Sequence, residues 1–379
     1  MTQRLQWIEE GAHQVAVGVY RIPLPLPSDG LRAVNVYAIE AARGLVLIDS
    51  GWALANSRDQ LERSLAAIGA ALPDIRQFLV THLHRDHYTQ AIEVRRLLGT
   101  PVALGAEEKH SIDALLGTDF RPLGAQLAVL ATAGAGQLAR QLAELTASRP
   151  AGGGKGPAFN VGGIAGEDHP PLRPADTFAA AIGYEAPDEW IGPGEVFDLG
   201  TRTLTAIPTP GHTRGHVVFA DADAGLLFAG DHVLPHITPS IAFEERPPAL
   251  PLADYLESLN VVRRLPDMRL LPAHGPVSPS THARIDELAD HHDSRLRAMA
   301  EVLSVSELTA SDVAEAIPWT SRQRKLADLD PMNQMLAVCE TVYHLDLLVA
   351  QAAAVNQVDD DGIRRYRLAV PSRNEETTA

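Results

Sequence analysis

Polar side chains crowd into one short segment of the chain, directly after an apolar run that predicts a buried strand. Residues 77–80 form that run, and the seven residues that follow include His82, His84, Asp86 and His87. Side chains two apart in extended backbone point the same way, and Asp86 and His87 are expected at the start of a helix. Imidazole and carboxylate groups at this density suit Zn²⁺, Fe²⁺ or Mn²⁺ far better than they suit an ordinary polar loop. The segment therefore predicts a metal site at the end of a strand.

Three later turns, at residues 208–216, 228–232 and 271–276, each follow an apolar run and bring one more potential ligand. These ligands are, in that order, His212, Asp231 and His274. Glycine stands beside or near each of them and permits the close turns that a site at strand ends requires. Cys339 is the single cysteine, which excludes a site built from several thiolates, so histidine and carboxylate are the expected ligands.

Apolar runs of strand length alternate with amphipathic stretches in both halves of the chain. Strands are predicted over residues 14–19, 35–39, 45–48, 77–80 and 102–104, and again over residues 203–207, 216–220, 226–228 and 268–271. Helices are predicted over residues 54–71 and 88–98, the second ending at Gly99. Strands and helices mixed in both halves predict an α/β (α+β) fold with a layered core.

Between the two halves lies a stretch of unusual composition. Residues 118–148 are rich in Ala, Leu and Gln and predict helices, and glycine-rich and proline-rich segments follow up to residue 193. An insertion of this length, at about residues 105–200, is typical of a lid or a substrate wall. We expect residues 118–195 to border the mouth of the site, because all the ligand turns lie at one end of the strands.

The composition changes again after residue 276. A first domain, expected to carry the catalytic site, is predicted over residues 1–276, and a connecting helix over residues 277–303. Residues 304–370 predict a short helix over 310–316 with Thr309 as its N-cap, a longer helix over 332–354 and a hairpin around 359–362. This order is typical of a winged helix, and residues 371–379 are expected to form a disordered tail.

The order of these motifs resembles the metallo-β-lactamase superfamily, whose signature is HxHxDH, then a distal His, an Asp and a last His. The resemblance covers residues of about 14–276. The runs GDHVLPHITPSIAF, PLADYLESLN and LPAHGP are similar to bacterial hydrolases of the glyoxalase II-like and lactamase-like protein 2 subgroup. The resemblance implies a four-layer αβ/βα sandwich followed by a small C-terminal winged-helix-like domain.

Carried over residue by residue, the resemblance implies two divalent cations. Zn²⁺ is expected, with Fe²⁺ or Mn²⁺ as alternatives that these ligands do not separate. One cation is assigned to His82, His84 and His212, and the second to Asp86, His87 and His274. Asp231 is the implied bridge between them, and the carboxylates implied in catalysis by a metal-bound hydroxide are Asp86 and Asp231.

Asp49 closes the predicted strand 45–48 and matches the aspartate that orients a ligand histidine in the resembled superfamily. A turn or cap role ahead of the helix 54–71 is the alternative for this residue. Tyr88 and His236 lie beside the site motifs and are candidate substrate contacts, with a core or structural role as the alternative.

The sequence makes less specific predictions for other residues near these motifs. His216 is expected to support the site or to pack in the core, and His291 and His292 are expected at the surface or between domains. Thr89 and Gln90 stand where members of the resembled superfamily often carry glycine. The start of the helix is therefore bulkier here, and the substrate preference is expected to differ.

The leading interpretation is a metal-dependent hydrolase of a small ester, thioester or lactone. Two other enzymes remain open: a phosphodiesterase or ribonuclease of the lactamase-like protein 2 type, and a mononuclear iron persulfide dioxygenase, for which His274 would be unnecessary. A transcription factor is disfavoured, because residues 332–354 contain no Lys or Arg. The basic residues of the predicted wing are Arg364, Arg365 and Arg367, too few for a recognition surface.

The net charge narrows the range of partners. The chain has 32 Lys and Arg against 48 Asp and Glu, which gives a net charge of −16. A surface with this charge repels phosphate backbones. No window approaches the roughly 18 uninterrupted apolar residues of a membrane span, and the first residues lack the apolar core of a signal peptide. We therefore expect a cytoplasmic protein with a small-molecule substrate and with neither a membrane nor a nucleic-acid partner, while a homodimer is left open.

Overall fold

The structure, a computed structural model, describes residues 3–26, 31–147, 184–320 and 322–369. It divides into two compact units. The first unit comprises residues 1–125 and 144–290, and the second comprises residues 126–143 and 291–379. All the ligand candidates from the sequence belong to the first unit, so its sheets decide how the site is built.

A seven-stranded sheet forms one half of the first unit. Its strands, in spatial as well as chain order, are β1 (His13–Ala16), β2 (Val19–Pro25), β3 (Ala33–Glu40), β4 (Leu45–Ile48), β5 (Ile75–Val80), β6 (Val102–Gly105) and β7 (Glu189–Ile191). Neighbouring strands are antiparallel from β1 to β4 and parallel from β4 to β7. The helices that follow these strands are α1 (Ala55–Ala67), α2 (Arg85–Leu98) and α3 (Lys109–Leu115). Short 3₁₀ turns span Gln3–Ile8, Leu72–Asp74 and Ala106–Glu108.

Two more helices, α4 (Gly124–Thr132) and α5 (Gly136–Ala147), precede the second sheet along the chain. The second sheet has five strands: β8 (Val196–Asp198), β9 (Thr203–Pro208), β10 (Val217–Asp221), β11 (Leu226–Gly230) and β12 (Arg269–Pro272). Their spatial order is β12-β11-β10-β9-β8, antiparallel except for the parallel pair β11 and β12. The helices after β11 are α6 (Pro251–Arg263) and α7 (Thr281–Leu303).

Both faces of the seven-stranded sheet are buried at its central strands, which explains why β4 and β6 contain only apolar residues and glycine. Successive side chains of β4 alternate between the faces: Leu45 and Leu47 join the cluster that includes helix residues, whereas Val46 and Ile48 join a second cluster. The second cluster also contains Phe228 of the five-stranded sheet, whose ring meets Tyr37 edge-on at 5.4 Å. The layered α/β arrangement predicted from the sequence is confirmed.

The second unit contains helices and a small sheet. Besides most of α4 and α5 and the end of α7, its helices are α8 (Ala310–Ala316) and α9 (Pro331–Ala350), with a 3₁₀ turn at Leu326–Asp328. Its strands are β13 (Leu308–Thr309), β14 (Ala354–Val358) and β15 (Arg364–Leu368). The sheet order is β13-β15-β14, with antiparallel pairs. The predicted cap at Thr309 is confirmed, because its Oγ1 accepts from the Asp312 N–H at 3.1 Å. The assignment of this unit as a winged helix stays a prediction.

The inserted stretch differs from the sequence prediction, which placed all of it in the first domain. Residues 126–143 belong to the second unit, where Leu130 is fully buried and the carbonyl of Ala133 accepts from the Ser311 N–H at 2.9 Å. The physical reason is that helices rich in Ala and Leu carry an apolar face that needs a core to bury it. The predicted lid or substrate wall includes residues 148–183, which lie outside the described residues, as does the predicted tail 371–379.

Other differences are local. Strand β2 was not predicted, because Pro23 and Pro25 break the usual strand pattern, yet it pairs with both β1 and β3. His292 was expected at the surface or between domains and is instead 1% exposed, stacked on the ring of His344 inside the second unit. Among the described residues, no helix combines the length and the apolar character needed to cross a bilayer.

The burial of Phe228 between the sheets can be tested by truncation. Phe228→Ala should lower the free energy of unfolding by about 3–5 kcal/mol, because it removes a ring that is fully enclosed and leaves a cavity. Urea denaturation followed by tryptophan fluorescence measures the change. Val196→Ala, at a side chain that is 58% exposed, should change it by less than about 0.5 kcal/mol. Equal effects of the two variants would contradict the placement of Phe228 in the core.

Candidate metal centre

The ligand candidates lie where strands of the two sheets end. Strand β5 leads into His82 and His84, and His84 is the N-cap of α2, whose first turn contains Asp86 and His87. On the other sheet, His212 lies between β9 and β10, Asp231 directly follows β11, and His274 lies two residues after β12. The structure brings all seven residues to one place. Six of them form two triads, and Asp231, which also groups with His82 and His87, lies between the triads.

The first triad consists of His82, His84 and His212, one ring nitrogen from each. Nε2 of His82 and Nε2 of His212 both lie 3.0 Å from Nδ1 of His84. Zn–N bonds of about 2.0–2.1 Å in tetrahedral geometry separate neighbouring ligand nitrogens by roughly 3.3 Å. The three nitrogens are therefore spaced like the ligands of a single cation.

The second triad consists of Asp86, His87 and His274. Nε2 of His274 lies 3.5 Å from Oδ2 of Asp86, and Nε2 of His87 lies 3.7 Å from the same oxygen. The three ligand atoms all lie within 4.8 Å of one another. Nitrogen and carboxylate oxygen together suit the same group of divalent cations as the first triad.

Asp231 offers one carboxylate oxygen to each triad. Its Oδ2 lies 3.4 Å from Nε2 of His212 in the first triad. Its Oδ1 lies 3.3 Å from Nε2 of His274 and 3.7 Å from Nε2 of His87 in the second. This arrangement is what a carboxylate needs if it is to bridge two cations.

Hydrogen bonds on the outer side of each ring determine the tautomers in the first triad. The Nε2–H of His84 faces the carbonyl of Phe243 at 2.8 Å, and the Nδ1–H of His212 faces the carbonyl of Ser240 at 2.6 Å. A carbonyl can only accept, so each ring carries its proton on the outer nitrogen and a lone pair on the inner one. His82 follows the same pattern, with its Nδ1 3.1 Å from Oγ1 of Thr81.

The second triad has the same outer anchoring. Nδ1 of His87 lies 2.9 Å from Oδ2 of Asp49, and Nδ1 of His274 lies 2.8 Å from the carbonyl of Ala33. Both rings therefore donate outward and present Nε2 to the triad. In all five histidines the inner nitrogen is the one that is able to bind a metal.

Three inner atoms at the second triad, one of them on Asp231, lack hydrogen-bond partners among the described residues. Nε2 of His87, Nε2 of His274 and Oδ1 of Asp231 are all buried in this state. A buried polar atom without a partner costs about 1–3 kcal/mol, so three at one point destabilise the fold considerably. A divalent cation satisfies all three at once, and the donor set therefore fits a metal.

Burial lowers the pKa of the histidines in the first triad, and neighbouring imidazoles lower it further. The pKa of His82 lies well below the usual 6.5, and that of His84 falls to about 3. The pKa of His212 is also lowered, mainly by burial, although Asp231 opposes the change. The first triad is thus made of neutral imidazoles, the form that binds metal.

Carboxylates dominate the electrostatics of the second triad. Burial alone would raise the pKa of Asp86, but His87 and His274 hold it at about 2. Burial alone would lower the pKa of His87, but the carboxylates of Asp86, Asp49 and Asp231 raise it to about 10. These carboxylates favour positive charge at this point, and a divalent cation supplies more of it than a proton on His87 does.

Asp49 forms several hydrogen bonds beside the second triad. Besides accepting from His87, its Oδ1 accepts from the Thr81 N–H at 2.8 Å and from the Thr81 hydroxyl at 2.9 Å. Its backbone adopts φ +60°, a conformation that Asp tolerates better than most residues. The alternative cap role does not apply, because the N-cap of α1 is Leu54.

His216 holds the backbone of Asp231. Its Nε2 accepts from the Asp231 N–H at 3.2 Å, while its Nδ1–H donates to Oγ1 of Thr209 at 2.8 Å. The preceding Gly230, at φ +50°, permits this approach, because a Cβ there would lie 2.7 Å from the His216 ring and from Oγ1 of Thr81. The expectation that His216 supports the site rather than joining a triad agrees with this geometry.

The two candidate substrate contacts have different surroundings. Tyr88 is fully buried in the helix-side core and donates its hydroxyl to the carbonyl of Glu185 at 2.7 Å, which argues against contact with substrate. His236 lines a cleft of about 860 Å³ together with Trp7, Arg21 and Pro276. Neither the six triad residues nor Asp231 line this cleft.

Sequence reasoning missed the carbonyls of Ala33, Ser240 and Phe243, because a backbone acceptor has no residue type that could reveal it. It also missed the buried carboxyls of Glu108 and Glu244, which hydrogen-bond to the segments around the first triad. No periodic or motif signal marks either glutamate. Their role depends on contacts between segments that are far apart in the chain.

A two-sheet α/β unit with histidine and aspartate triads at its strand ends defines a class of metal-binding hydrolase folds. The sequence profile of the Metallo-beta-lactamase superfamily matches residues 29–274. This match covers more than half of the chain, and the protein therefore belongs to the metallo-β-lactamase superfamily.

Relatives and solved structures agree with this membership. The chain is 25% identical to the probable metallo-hydrolase YqjP of Bacillus subtilis over 344 residues, 88% of this chain and 92% of that protein. It is 34% identical to a beta-lactamase-like protein 2 homolog of Caenorhabditis elegans, but over only 32% of this chain and 40% of that protein.

In fold, the chain is similar to a beta-lactamase domain protein from Burkholderia ambifaria. The TM-score is 0.72 at 23% identity, with 94% of each chain covered. A metallo-beta-lactamase family protein from Thermus thermophilus gives a TM-score of 0.69 at 23% identity, covering 94% of this chain and 100% of that one. The expected metallo-β-lactamase fold is thereby confirmed.

Replacing the acceptor that orients His87 tests how the second triad is held. Asp49→Asn replaces one of the two carboxylate oxygens by an NH₂ group. Either Thr81 or His87 then loses the oxygen that accepts its hydrogen bond. We expect the free energy of unfolding of the metal-free protein to fall by about 1–3 kcal/mol, because a buried donor loses its partner. We also expect affinity for the more weakly bound cation to fall about 10–100-fold, since the ring is no longer oriented.

Urea denaturation and titration with a competing chelator measure the two effects. Asp198→Asn is the matched control, since Asp198 is exposed and accepts from the Gly200 N–H at 2.8 Å, away from any described histidine ligand in sequence. It should change the free energy of unfolding by less than about 0.5 kcal/mol. If the two variants bind metal equally well, Asp49 does not orient a ligand.

Proposed function

We propose that this protein is a dinuclear metal-dependent hydrolase that acts on a small ester, thioester or lactone. The observation that carries the proposal is the convergence of the inner atoms of seven side chains on two adjacent points. Membership of the metallo-β-lactamase superfamily supports it, as does the likeness to a probable metallo-hydrolase over most of the chain.

The first cation would be held by His82, His84 and His212, and the second by Asp86, His87 and His274. Zn²⁺ is the proposed metal, because neutral imidazoles and carboxylates at this spacing suit it, with Fe²⁺ or Mn²⁺ as alternatives. When bound, the cations supply Lewis acidity and lower the pKa of water at the site. Two cations are favoured over one, because the carbonyl of Ala33 orients His274 inward. Without a second cation, His274 would have no metal to bind.

The chain's own residues account for the rigidity that such chemistry requires. Asp231 would join the two triads through its two oxygens, and the hydrogen bond from its N–H to His216 holds its backbone in place. Asp86 has a side chain that is 17% exposed, against 8% for Asp231. Substrate is therefore proposed to approach from the side of Asp86, the more accessible carboxylate.

The proposed substrate class follows from charge. A chain with a net charge of −16 disfavours polyanionic substrates such as RNA. Helix α9 contains no Lys or Arg, and twelve of its residues are buried, so it offers no surface for a nucleic acid. A small acyl substrate does not meet this electrostatic barrier.

Loss of the proposed bridge gives the sharpest test of the dinuclear site. Asp231→Ala should leave one cation bound tightly, release the second, and reduce kcat by about 10³-fold or more, since metal ions contribute several kcal/mol to such reactions. Metal content, far-UV circular dichroism and turnover should be measured on one preparation. The fold should survive, because β11 is held by apolar burial.

Asp223→Ala is the matched control, because Asp223 is an exposed aspartate in the turn between β10 and β11. It should retain both cations and full turnover. Retained turnover of Asp231→Ala at full metal content would remove Asp231 as the bridge. A single cation per chain in the wild-type protein after reconstitution would remove the dinuclear proposal.

The reaction type can be tested with a substrate panel on the metal-loaded protein. The panel contains esters, thioesters, lactones, β-lactams, phosphodiesters and a persulfide. Esters, thioesters and lactones should give higher kcat/KM values than the other three classes. Preference for a phosphodiester would replace the proposal by the ribonuclease-like alternative. Oxygen consumption with the persulfide would replace it by the dioxygenase alternative.

A further inference from the structure

Two buried carboxyl groups lie beside the first triad, although neither belongs to it. Glu108 ends the 3₁₀ turn after β6 and is fully buried, and Glu244 lies in the loop between β11 and α6 and is 5% exposed. Buried glutamates are rare unless their oxygens are bonded, because removal from water is costly. Their contacts therefore need an explanation.

Oε1 of Glu108 joins the two segments that carry the first triad. It accepts from the Thr213 hydroxyl at 2.5 Å and from the Leu83 N–H at 3.3 Å. Leu83 stands between His82 and His84, and Thr213 directly follows His212. One carboxyl oxygen thus links the segments that hold all three histidines.

The close approach of these segments depends on Gly215. A Cβ at this position would lie 2.2 Å from the backbone nitrogen of Glu108 and 2.5 Å from its Cγ. No side chain fits in that space without moving the backbone. The turn that carries His212 is therefore packed directly against the residue that cross-links it.

Glu244 connects the loop that orients the first triad to two other segments of the chain. The carbonyl of its neighbour Phe243 accepts from His84, and Ser240 in the same loop accepts from His212. Oε1 of Glu244 accepts from the Arg214 N–H at 2.8 Å, and Oε2 accepts from the Ser111 hydroxyl at 2.9 Å. The loop is thereby tied to the His212 turn and to α3.

The charge state of the pair suits a supporting role. Burial, and then the proximity of Glu244, raise the pKa of Glu108 to about 8, and burial raises the pKa of Glu244 to about 7. Glu108 is therefore mostly protonated at neutral pH. A neutral carboxyl accepts hydrogen bonds at Oε1 without adding a full negative charge beside the first triad.

We propose that Glu108 and Glu244 are positioning residues that hold the first triad in its binding geometry by cross-linking the segments around His82, His84 and His212. This inference rests on the proposed function, because the triad is taken to bind a cation. The hydrogen bonds of Glu108 reach the first triad through the Leu83 N–H and the Thr213 hydroxyl. Those of Glu244 go to the Arg214 N–H and the Ser111 hydroxyl.

The test measures stepwise Zn²⁺ affinity with a competing chelator, and the absorption of the Co²⁺-substituted protein, in the full-length chain. Glu108→Ala should weaken one of the two bound cations about 10–100-fold, the usual range for loss of an outer support, and leave the other unchanged. Thr213→Val, which removes a single hydroxyl, should weaken the same cation to a smaller extent. Glu108→Gln keeps the acceptor at Oε1 and should stay within threefold of wild type.

Gln60→Leu is the control for a buried polar group of the same unit, because Gln60 is 6% exposed and donates to the carbonyl of Pro23 in β2. It should leave both affinities and the Co²⁺ spectrum unchanged. If Glu108→Ala does not fold, Thr213→Val and Glu108→Gln still decide between the outcomes.

Unchanged affinities in Glu108→Ala or Thr213→Val, or equal weakening of both cations, would overturn the positioning role. Weakening in Glu108→Gln as large as in Glu108→Ala would overturn the hydrogen-bonding account. Failure of the proposed function has a separate signature, namely that the wild-type protein itself binds no cation.

Discussion

The outer hydrogen bond of each site histidine is the interaction on which the rest of the centre depends. Five rings donate outward, to the carbonyls of Ala33, Ser240 and Phe243 and to the side chains of Thr81 and Asp49. Each bond selects a tautomer and aims a lone pair at the centre. Without these acceptors the rings could exchange protons with one another, and the same residues would form an ordinary hydrogen-bonded cluster.

The acceptors come from both sheets and their loops, so the site requires the complete first unit. Ala33 begins β3, Asp49 follows β4, and Ser240 and Phe243 belong to the long loop after β11. The apolar cluster between the sheets holds these strand ends in register, since it buries side chains of both. Burial of the sheets therefore fixes the donors and acceptors of the centre to within hydrogen-bonding tolerance, which a metal site requires.

The sequence was sufficient to predict much of this arrangement. The strand β4 was predicted with the observed bounds, and the six triad residues and Asp231 were selected because HxHxDH and three later turns are dense in one kind of chemistry. Contacts made by backbone carbonyls, and the cross-links of Glu108 and Glu244, could not be found in this way, because they depend on segments distant in the chain. The packing of His292 inside the second unit, in place of the expected position at the surface or between domains, was missed for a similar reason, since a charged helix pattern conceals one inward position.

Anomalous X-ray diffraction at the zinc absorption edge, on crystals of the metal-loaded protein, tests the central claim most directly. The account predicts two peaks per chain, one at about 2.0–2.2 Å from the inner nitrogens of His82, His84 and His212 and one at the same distance from the ligand atoms of Asp86, His87 and His274. Asp231 should place one oxygen within reach of each peak. A single peak at full reconstitution, or peaks bound to the outer ring nitrogens, would contradict it.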